Sequence, residues 1–526
     1  MKNNTNLNYF RPRKFIFFVF IALTILFFIF DANAQNPAPD STFNGNGRRI
    51  TDMGAASESA YAVIAQPDGK IVAVGASNVT MALVRYDTNG QLDTSFDGDG
   101  IVTFSTGVVA TAAALQPDGK ILVGGSYGTN IFNVREIAVT RFNSNGTIDP
   151  TFDGDGIARS GLQFTDPVVS GLILQPDGKI VVSGYVRNGG GLDYNITLTR
   201  YNSDGSLDTT FDGDGRVITD INNAAAVDVN NGIAIQPDGK FVVAGGYNTG
   251  STFRDTLLVR YNPNGSLDTS FDGDGLLFYD FAPGNNDEAT SVAVHDGKII
   301  IGATAPDSFD TYLALARFNS DGTFDTTFDG DGIRVTTYQT SAKQILLQPQ
   351  GNILVLGGAV NGGYSLFRFK PDGSNETTFG TLGSRQGIRY GTITSASAMT
   401  TQPGSKIVVV GRDLANSNNN FFAARFTALE PTAASVSVGG KVLSSTGRAI
   451  FGATVYLTDR EGNTRQTTTN SFGYYRFHDI SVGETYVLNV FSKRYAFVPQ
   501  LMTITDETFN LNFIAENPAG VKNYEK

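Results

Sequence analysis

Short hydrophobic segments rich in β-branched residues alternate with polar turns along most of the chain. Residues 169–174 and 179–184 are two such segments, joined by Gln175-Pro176-Asp177-Gly178. Residues 197–201 form another, and one more follows Gly156. Proline followed by Asp-Gly favours a tight reversal of the backbone. The pattern therefore predicts a unit of four antiparallel β-strands.

This unit is repeated. The phrase Phe-Asp-Gly-Asp-Gly or a degraded copy returns every 51 to 60 residues, and an arginine followed by an aromatic residue closes the last strand of each unit. The phrase begins at Phe43, Phe96, Phe152, Phe211, Phe271, Phe328 and Phe379. Seven such units predict an all-β fold, a seven-bladed β-propeller over residues 40–427. An open β-solenoid is the alternative, but the array lacks the polar caps that solenoids need.

Three motifs carry a family resemblance. Phe-Asp-Gly-Asp-Gly, Gln-Pro-Asp-Gly-Lys and Arg-Tyr-Asn-x-Asp/Asn-Gly-x-Leu-Asp together resemble the delta-60 type repeat over about residues 40–427. The resemblance implies a propeller in an exported bacterial protein. The family carries no established activity, so the resemblance implies no mechanism.

The N-terminus is typical of a secretory signal peptide. Basic residues precede the apolar run 15–30, and Ala32-Asn33-Ala34 offers a cleavage site before Gln35. An uncleaved anchor is the alternative, but the run is shorter than the about 20 residues of a membrane span. We therefore expect a secreted or cell-surface protein with no transmembrane helix in the mature chain.

The charge of the chain argues against nucleic acid as a partner. Residues 1–34 contribute four basic residues and one acidic residue, a net +3, so removing them takes the net charge from −11 to −14. A strongly acidic protein does not attract phosphate backbones nonspecifically.

Because successive strands are predicted to run antiparallel, alternate connections lie on the same face, and the predicted propeller has two distinct faces. The Pro-Asp-Gly turn and the connection through Phe-Asp-Gly-Asp-Gly share one face and hardly vary, whereas the other two connections vary from unit to unit. A site for one partner is expected on the variable face. The candidate ligand-binding aromatics there are Tyr127, Phe132, Tyr185, Tyr194, Tyr247, Phe253, Phe309 and Tyr312, together with Tyr364. Alternatively, these rings cover blade edges.

The acidic turns have two interpretations. Oxygen ligands at short spacing, with glycine at the turn, are typical of calcium loops. The candidate ligands are Asp97, Asp99, Asp204, Asp208, Asp212, Asp214, Asp272, Asp274, Asp329 and Asp331. The other interpretation is turn chemistry, because Asp and Asn exchange freely at positions 89, 145, 204 and 264. We expect no cofactor other than this calcium.

Catalytic chemistry is scarce in this sequence. The chain has no cysteine and only His295 and His478, which disfavours zinc sites, cysteine nucleophiles and most catalytic triads. Carboxylate-only hydrolysis remains open, but no pair stands out among the unrepeated acids Asp166, Asp193, Asp220, Asp228, Asp280, Asp287, Glu288, Asp307 and Asp310. We therefore expect no enzyme.

A different pattern follows the repeats. After a linker at residues 428–435, six strand-like segments predict a small antiparallel β-sandwich over residues 436–515, followed by a tail at 516–526. Gly440-Lys441-Val442, Gly452-Ala453-Thr454-Val455 and Gly473-Tyr474-Tyr475-Arg476-Phe477 resemble the carboxypeptidase regulatory-like domain. This resemblance implies a noncatalytic accessory module in a broad class of carbohydrate-binding-like sandwiches.

Together these observations favour a noncatalytic recognition or adhesion protein outside the cell. Its expected partner is a polysaccharide or an extracellular protein, bound by the variable face of the propeller. The alternatives are a carboxylate-based hydrolase or lyase in the propeller funnel, and a purely structural surface protein stabilised by calcium.

Overall fold

The computed structural model describes residues 37–515, except for 106–108, 129–133, 188–193, 222–227, 249–252, 308, 349, 359–362, 378, 380–383, 389–393, 404–405, 416–417, 428–434, 460–463, 482–484 and 505–510. The predicted signal peptide, most of the predicted linker and the tail lie outside this part of the chain. The described residues form strands and turns without a helix, so none of them belongs to a helix able to cross a membrane. The chain divides into two compact units, with the main boundary after Ala428.

The described residues of the first unit contain seven antiparallel groups of strands in chain order, and we call each group a sheet. Four of them are separate four-stranded sheets, two are joined in one eight-stranded sheet, and the last has five strands. The first three contain β3 (Glu58–Ala65), β4 (Ile71–Ser77), β5 (Thr80–Tyr86) and β6 (Ile101–Phe104); β7 (Val109–Leu115), β8 (Ile121–Tyr127), β9 (Val134–Phe142) and β10 (Ile157–Arg159); and β11 (Phe164–Leu174), β12 (Ile180–Arg187), β13 (Tyr194–Tyr201) and β14 (Arg216–Thr219). The start of β11 also pairs with β9, which joins the second and third sheets.

The next three sheets repeat the same order of strands. They contain β15 (Val229–Ile235), β16 (Phe241–Tyr247), β17 (Asp255–Tyr261) and β18 (Leu276–Tyr279); β19 (Ala289–His295), β20 (Lys298–Pro306), β21 (Thr311–Phe318) and β22 (Ile333–Val335); and β23 (Ala342–Leu347), β24 (Ile353–Gly358), β25 (Tyr364–Phe369) and β26 (Ser384–Ile388). The seventh contains β27 (Thr394–Gln402), β28 (Lys406–Ala415) and β29 (Asn418–Thr427).

The middle strands of each sheet are buried on both faces because each sheet packs between two others. Every residue of β4 is buried, and so are the central residues of β5. Val72 and Val74 of the first sheet share one hydrophobic cluster with Ile121 and Val123 of the second. Burial on both faces explains why these segments read as continuous hydrophobic runs in the sequence.

N-terminal strands complete the seventh sheet. β1 (Ala38–Pro39) and β2 (Arg48–Thr51) both pair antiparallel with β29. The strand before Met53 therefore belongs to the last sheet and not to the first. Residues of the first and seventh sheets share a hydrophobic cluster, so the array returns on itself as a ring. The fold is thus an all-β propeller, as predicted.

Antiparallel pairing assigns the connections to two faces of the first unit. The turn face carries the Pro-Asp-Gly turns and the Phe-Asp-Gly-Asp-Gly connections. The loop face carries the connection between the second and third strands of each sheet, and the connection from the fourth strand to the next sheet. The segment that follows each Phe-Asp-Gly-Asp-Gly is the outer strand of the preceding sheet, as β10 pairs with β9.

The second unit has two sheets around one hydrophobic core. One sheet orders β33 (Tyr474–Ser481), β30 (Ser435–Leu443) and β36 (Phe513–Ile514), and the other β32 (Thr464–Thr468), β31 (Thr454–Thr458), β34 (Thr485–Phe491) and β35 (Gln500–Thr503). The predicted sandwich is present, with two differences. β35 was not predicted, and β36 pairs with β30 in parallel.

Candidate functional site

The repeated arginine organises the turn face. Arg200 Nε donates to Asp208 Oδ2 at 2.6 Å, and Lys179 Nζ lies 2.7 Å from the same oxygen. The Arg200 guanidinium also lies over the Phe211 ring, 4.5 Å from its centroid. Burial alone would raise the pKa of Asp208, but Lys179, Thr210 and Arg200 lower it well below its ordinary value. These contacts recur from sheet to sheet, so the repeated charges stabilise the fold.

The same arginines join neighbouring sheets. Arg141 Nη1 donates to the carbonyl oxygen of Ser203 at 2.7 Å, and the Asp153 amide donates to Asp204 at 2.7 Å. Gly205, at φ +97°, approaches so closely that a Cβ there would lie 2.9 Å from the Asp153 nitrogen. The turn face therefore depends on close approach of the backbone at this glycine.

The proposed calcium ligands are used as turn caps. Asp99, Asp204, Asp214, Asp274 and Asp331 each accept a backbone N–H two residues ahead, at 2.8 to 3.0 Å. Asp97, Asp212, Asp272 and Asp329 have φ of 48° to 52° and donate their amides to the next sheet. Calcium at these turns stays a prediction.

The structure brings only some of the predicted aromatics together. Tyr185 and Tyr194 pack edge to face with ring centroids 5.8 Å apart, and we call them the tyrosine pair. Tyr247 packs on Phe278 at 4.3 Å, and the Arg159 guanidinium lies over Tyr127. Other predicted residues lie elsewhere: Phe253 and Phe309 are exposed, Tyr312 is half-buried, and Phe132 is outside the described residues.

Tyr364 does not belong to the predicted binding surface. It is fully buried as the first residue of β25, and its ring packs on Phe422 and Phe426. The interpretation of Tyr364 as a loop aromatic is wrong because the strand begins at this residue and directs the ring into the core.

An ion pair stands beside the tyrosine pair. Arg254 Nη1 lies 3.1 Å from Glu288 Oε2, and both side chains are partly exposed. Burial and Tyr194 raise the pKa of Tyr185, whereas the Arg254 charge lowers it, so the two groups are electrostatically coupled. Tyr185 belongs to the third sheet, and Arg254 and Glu288 precede strands of the fourth and fifth. Three successive sheets thus contribute to this part of the loop face.

Three carboxylates converge close to that ion pair. One oxygen from each of Asp255, Asp280 and Asp287 lies within 4.8 Å of the others, and we call these residues the acidic triad. Asp255 begins β17, Asp280 follows β18, and Asp287 precedes β19. Asp287 is fully buried, Asp255 is half-buried and Asp280 is exposed.

Burial raises the pKa of Asp287 to about 7; backbone N–H groups of Ala282 and Phe281 oppose the rise, and the charges of Asp280 and Asp255 add to it. Burial and all three triad charges also raise the pKa of Tyr247, which places this tyrosine near the triad. The predicted binding residue Tyr247 is therefore a neighbour of the acidic triad.

Sequence reasoning missed the triad. The sequence marks Asp280 and Asp287 only as two of nine unrepeated acids, and it does not mark Asp255. Aligning the repeats on their arginines shows the signal that the sequence contains for Asp255. Five residues before Arg260 stands Asp255, whereas Asn195 and Asn420 occupy the equivalent positions before Arg200 and Arg425.

Comparisons with known families agree with the fold. The DUF5122 β-propeller, a domain of unknown function, matches residues 66–96, 116–152, 175–211, 236–271 and 295–328. The carboxypeptidase regulatory-like domain matches residues 437–515. Both resemblances deduced from the sequence are thereby confirmed. None of the curated proteins matches the chain.

Several solved structures are similar at low identity. Polysaccharide lyase Uly1 is 12% identical with a TM-score of 0.43, covering 72% of this chain and 92% of its own. PorZ, a surface component of the type-IX secretion system of Porphyromonas gingivalis, is 13% identical with a TM-score of 0.38, covering 88% and 60%. Sqt1 from Chaetomium thermophilum is 13% identical with a TM-score of 0.41, covering 75% and 98%.

Proposed function

Because the chain contains a β-propeller of DUF5122 repeats followed by a carboxypeptidase regulatory-like domain, we propose that it is a noncatalytic recognition protein acting outside the cell. Its partner is a polysaccharide or an extracellular protein, bound on the loop face. One observation carries the proposal: the turn face repeats the same contacts from sheet to sheet, whereas the tyrosine pair and the Arg254–Glu288 ion pair occur together at one place on the loop face.

The chemistry of this place suits recognition. The tyrosine rings supply apolar area with little loss of side-chain entropy on binding, and their hydroxyls form hydrogen bonds. The ion pair adds a fork of donors and a carboxylate acceptor, which match the hydroxyl groups of a sugar or the backbone of a peptide. Gly246 leaves room for the Glu288 side chain, because a Cβ there would lie 2.7 Å from the Glu288 Cβ.

Export of the chain is part of the proposal. It rests on the basic start, the apolar run at residues 15–30 and the Ala32-Asn33-Ala34 site. N-terminal sequencing of the product released by a bacterial host tests it. A mature chain beginning at Gln35 supports export by a cleaved signal peptide, and a product that retains residues 1–34 in the membrane contradicts it.

The binding test uses the purified protein on a glycan array and, in parallel, on extracellular protein extracts. Tyr185→Ala and Arg254→Ala are expected to weaken the strongest saturable interaction at least tenfold. Tyr474→Ala is the matched control, because Tyr474 is a half-exposed tyrosine of the second unit. A hit that survives both loop-face changes and is lost with Tyr474→Ala contradicts the proposal, because the second unit then carries the binding.

The second candidate function is hydrolysis or lysis of a glycan by carboxylates, and the acidic triad is the observation that favours it. Two-carboxylate glycosidases hold their catalytic groups about 5–5.5 Å or about 6.5–9.5 Å apart to accommodate the sugar or a water. The triad oxygens are within 4.8 Å of one another, which favours a shared ligand over a bound sugar ring. If the protein released reducing ends or unsaturated products from a bound glycan, and Asp287→Asn abolished that release, the function would be catalysis and not recognition.

A further inference from the structure

Asp287 is the least solvated member of the acidic triad. Its side chain is fully buried, and Oδ2 accepts the N–H groups of Phe281 and Ala282. Within the described part of the chain, Oδ1 of Asp287 has no hydrogen-bond partner. An unsatisfied buried carboxylate oxygen is costly unless a ligand occupies its free side.

The triad also lacks a balancing positive charge. Among the described residues, none of the three carboxylates forms an ion pair with a lysine or arginine; the nearby Arg254 pairs with Glu288. On the turn face, by contrast, buried aspartates such as Asp208 meet both an arginine and a lysine. The triad is therefore an oxygen-rich, negatively charged site that a cation would satisfy.

The equivalent positions one repeat earlier in the chain show which residues form a structural cap and which could bind a ligand. The pairing registers place Asp228 where Asp287 stands and Asn195 where Asp255 stands. Asp228 is also fully buried and caps a loop, accepting the Ile221 N–H at 3.1 Å. A buried acid before the first strand is thus a recurrent loop cap. The third carboxylate, Asp255, distinguishes the fourth sheet from the third.

We propose that the acidic triad of Asp255, Asp280 and Asp287 binds a calcium ion on the loop face. Calcium takes oxygen ligands at about 2.3–2.6 Å, so two ligands of one ion can lie as far apart as about 4.6–5.2 Å. Oxygen separations within 4.8 Å are compatible with this range. Magnesium keeps several of its waters and is usually bound by one or two carboxylates, so a site of three protein carboxylates favours calcium. Water or ligand oxygens complete the coordination on the exposed side of Asp280.

This site is distinct from the Asp-Gly turns, which lie on the turn face and whose aspartates cap backbone N–H groups. It also stands independently of recognition by the tyrosine pair. The ion would offset two of the three negative charges of the triad and fix the loop between β18 and β19 to the start of β17. It would thereby order the part of the loop face that carries Glu288.

Terbium is the probe for the test, since it replaces calcium and its emission is excited through nearby tyrosines. The chain has no tryptophan, and Tyr247 pairs with Asp255 of the triad between β16 and β17. We expect saturable tyrosine-sensitised terbium emission from the full protein, displaced by calcium and at least tenfold less well by magnesium. Asp255→Asn and Asp280→Asn are expected to weaken terbium and calcium binding at least tenfold.

Two features keep the test decisive. Asp255→Asn reproduces the Asn195 of the third sheet, and Asp280 is exposed, so both variants are expected to retain the circular dichroism of the wild type. Asp274→Asn is the matched control, because Asp274 caps the Leu276 N–H at 2.9 Å on the turn face. The proposal is overturned if the wild type shows no saturable emission, if both triad variants bind calcium normally, if only Asp274→Asn weakens binding, or if magnesium competes equally.

Discussion

The ion pair that closes the ring gives the sharpest prediction of stability. Arg425 Nε donates to Asp40 Oδ2 at 2.7 Å, Nη2 donates to Thr42 at 2.9 Å, and Nη1 donates to the Thr88 carbonyl at 2.9 Å. Lys406 Nζ lies 3.2 Å from the same Asp40 oxygen. Arg425 thus joins the N-terminal segment, the seventh sheet and the first sheet.

We expect Asp40→Asn to destabilise the ring by about 2–4 kcal/mol. Burial would raise the pKa of Asp40, but Thr42, Lys406 and Arg425 lower it to about 2. A fall from 3.8 to about 2 corresponds to about 2 kcal/mol at most, since solvent screens part of it. Removing one partner of a buried pair costs about 3–5 kcal/mol, because Arg425 stays charged and buried.

The assay is urea unfolding followed by tyrosine fluorescence, with hydrogen exchange read by mass spectrometry. Asp40→Asn is expected to lower the unfolding midpoint and to accelerate exchange first in residues 38–51. Asp99→Asn is the matched control, because its side chain keeps the cap of the Ile101 N–H, and we expect a change below about 0.5 kcal/mol. Equal midpoints for the two variants, or faster exchange spread evenly over all sheets, would refute the reasoning.

Three further predictions concern the rest of the fold. Stability is expected to fall as the pH drops below about 4, because the pKa values of Asp40 and Asp325 are about 2 in the folded protein and 3.8 ordinarily. These carboxylates stabilise the fold fully above pH 3.8 and lose that contribution as the pH falls to the folded pKa of about 2. Urea midpoints across pH 2 to 6 test this. Gly205→Ala is expected to cost about 1–3 kcal/mol more than Gly213→Ala, because both have positive φ but only Gly205 meets another backbone; equal midpoints in urea would contradict it. Leu488→Ala is expected to cost about 2–5 kcal/mol of second-unit stability, because Leu488 is fully buried; unchanged exchange protection of β31 and β34 would contradict it.

The strands and turns could be predicted because the residues that determine them lie close together in the sequence of each repeat. Pro176-Asp177-Gly178 fixes a reversal, and the runs around it are hydrophobic enough to be buried on both sides. The ring closure could not be predicted, because the sequence of β2 suits either the first or the last sheet. Only the pairing of Arg48 with Ala424 decides between them.

The acidic triad needed three-dimensional information. Asp255 begins one strand, Asp280 follows another and Asp287 precedes a third, and nothing local marks them as neighbours. Their convergence results from the path of the loop between two sheets. The tyrosine pair was easier to predict from the sequence, because Tyr185 and Tyr194 flank one connection of the third sheet. Its proximity to Arg254, from the fourth sheet, depends on the packing of one sheet against the next.

The closing strands also constrain how the chain folds during synthesis. Asp40 and Arg425 are separated by 385 residues, so the N-terminal strands have no partner until nearly all of the propeller has left the ribosome. The sheets in between pair locally and can form in order as they emerge, but bringing distant ends together is entropically costly and slow. A circular permutant that joins residues 38–51 directly after β29 would make this contact local. Such a chain should complete its seventh sheet faster than the natural order allows.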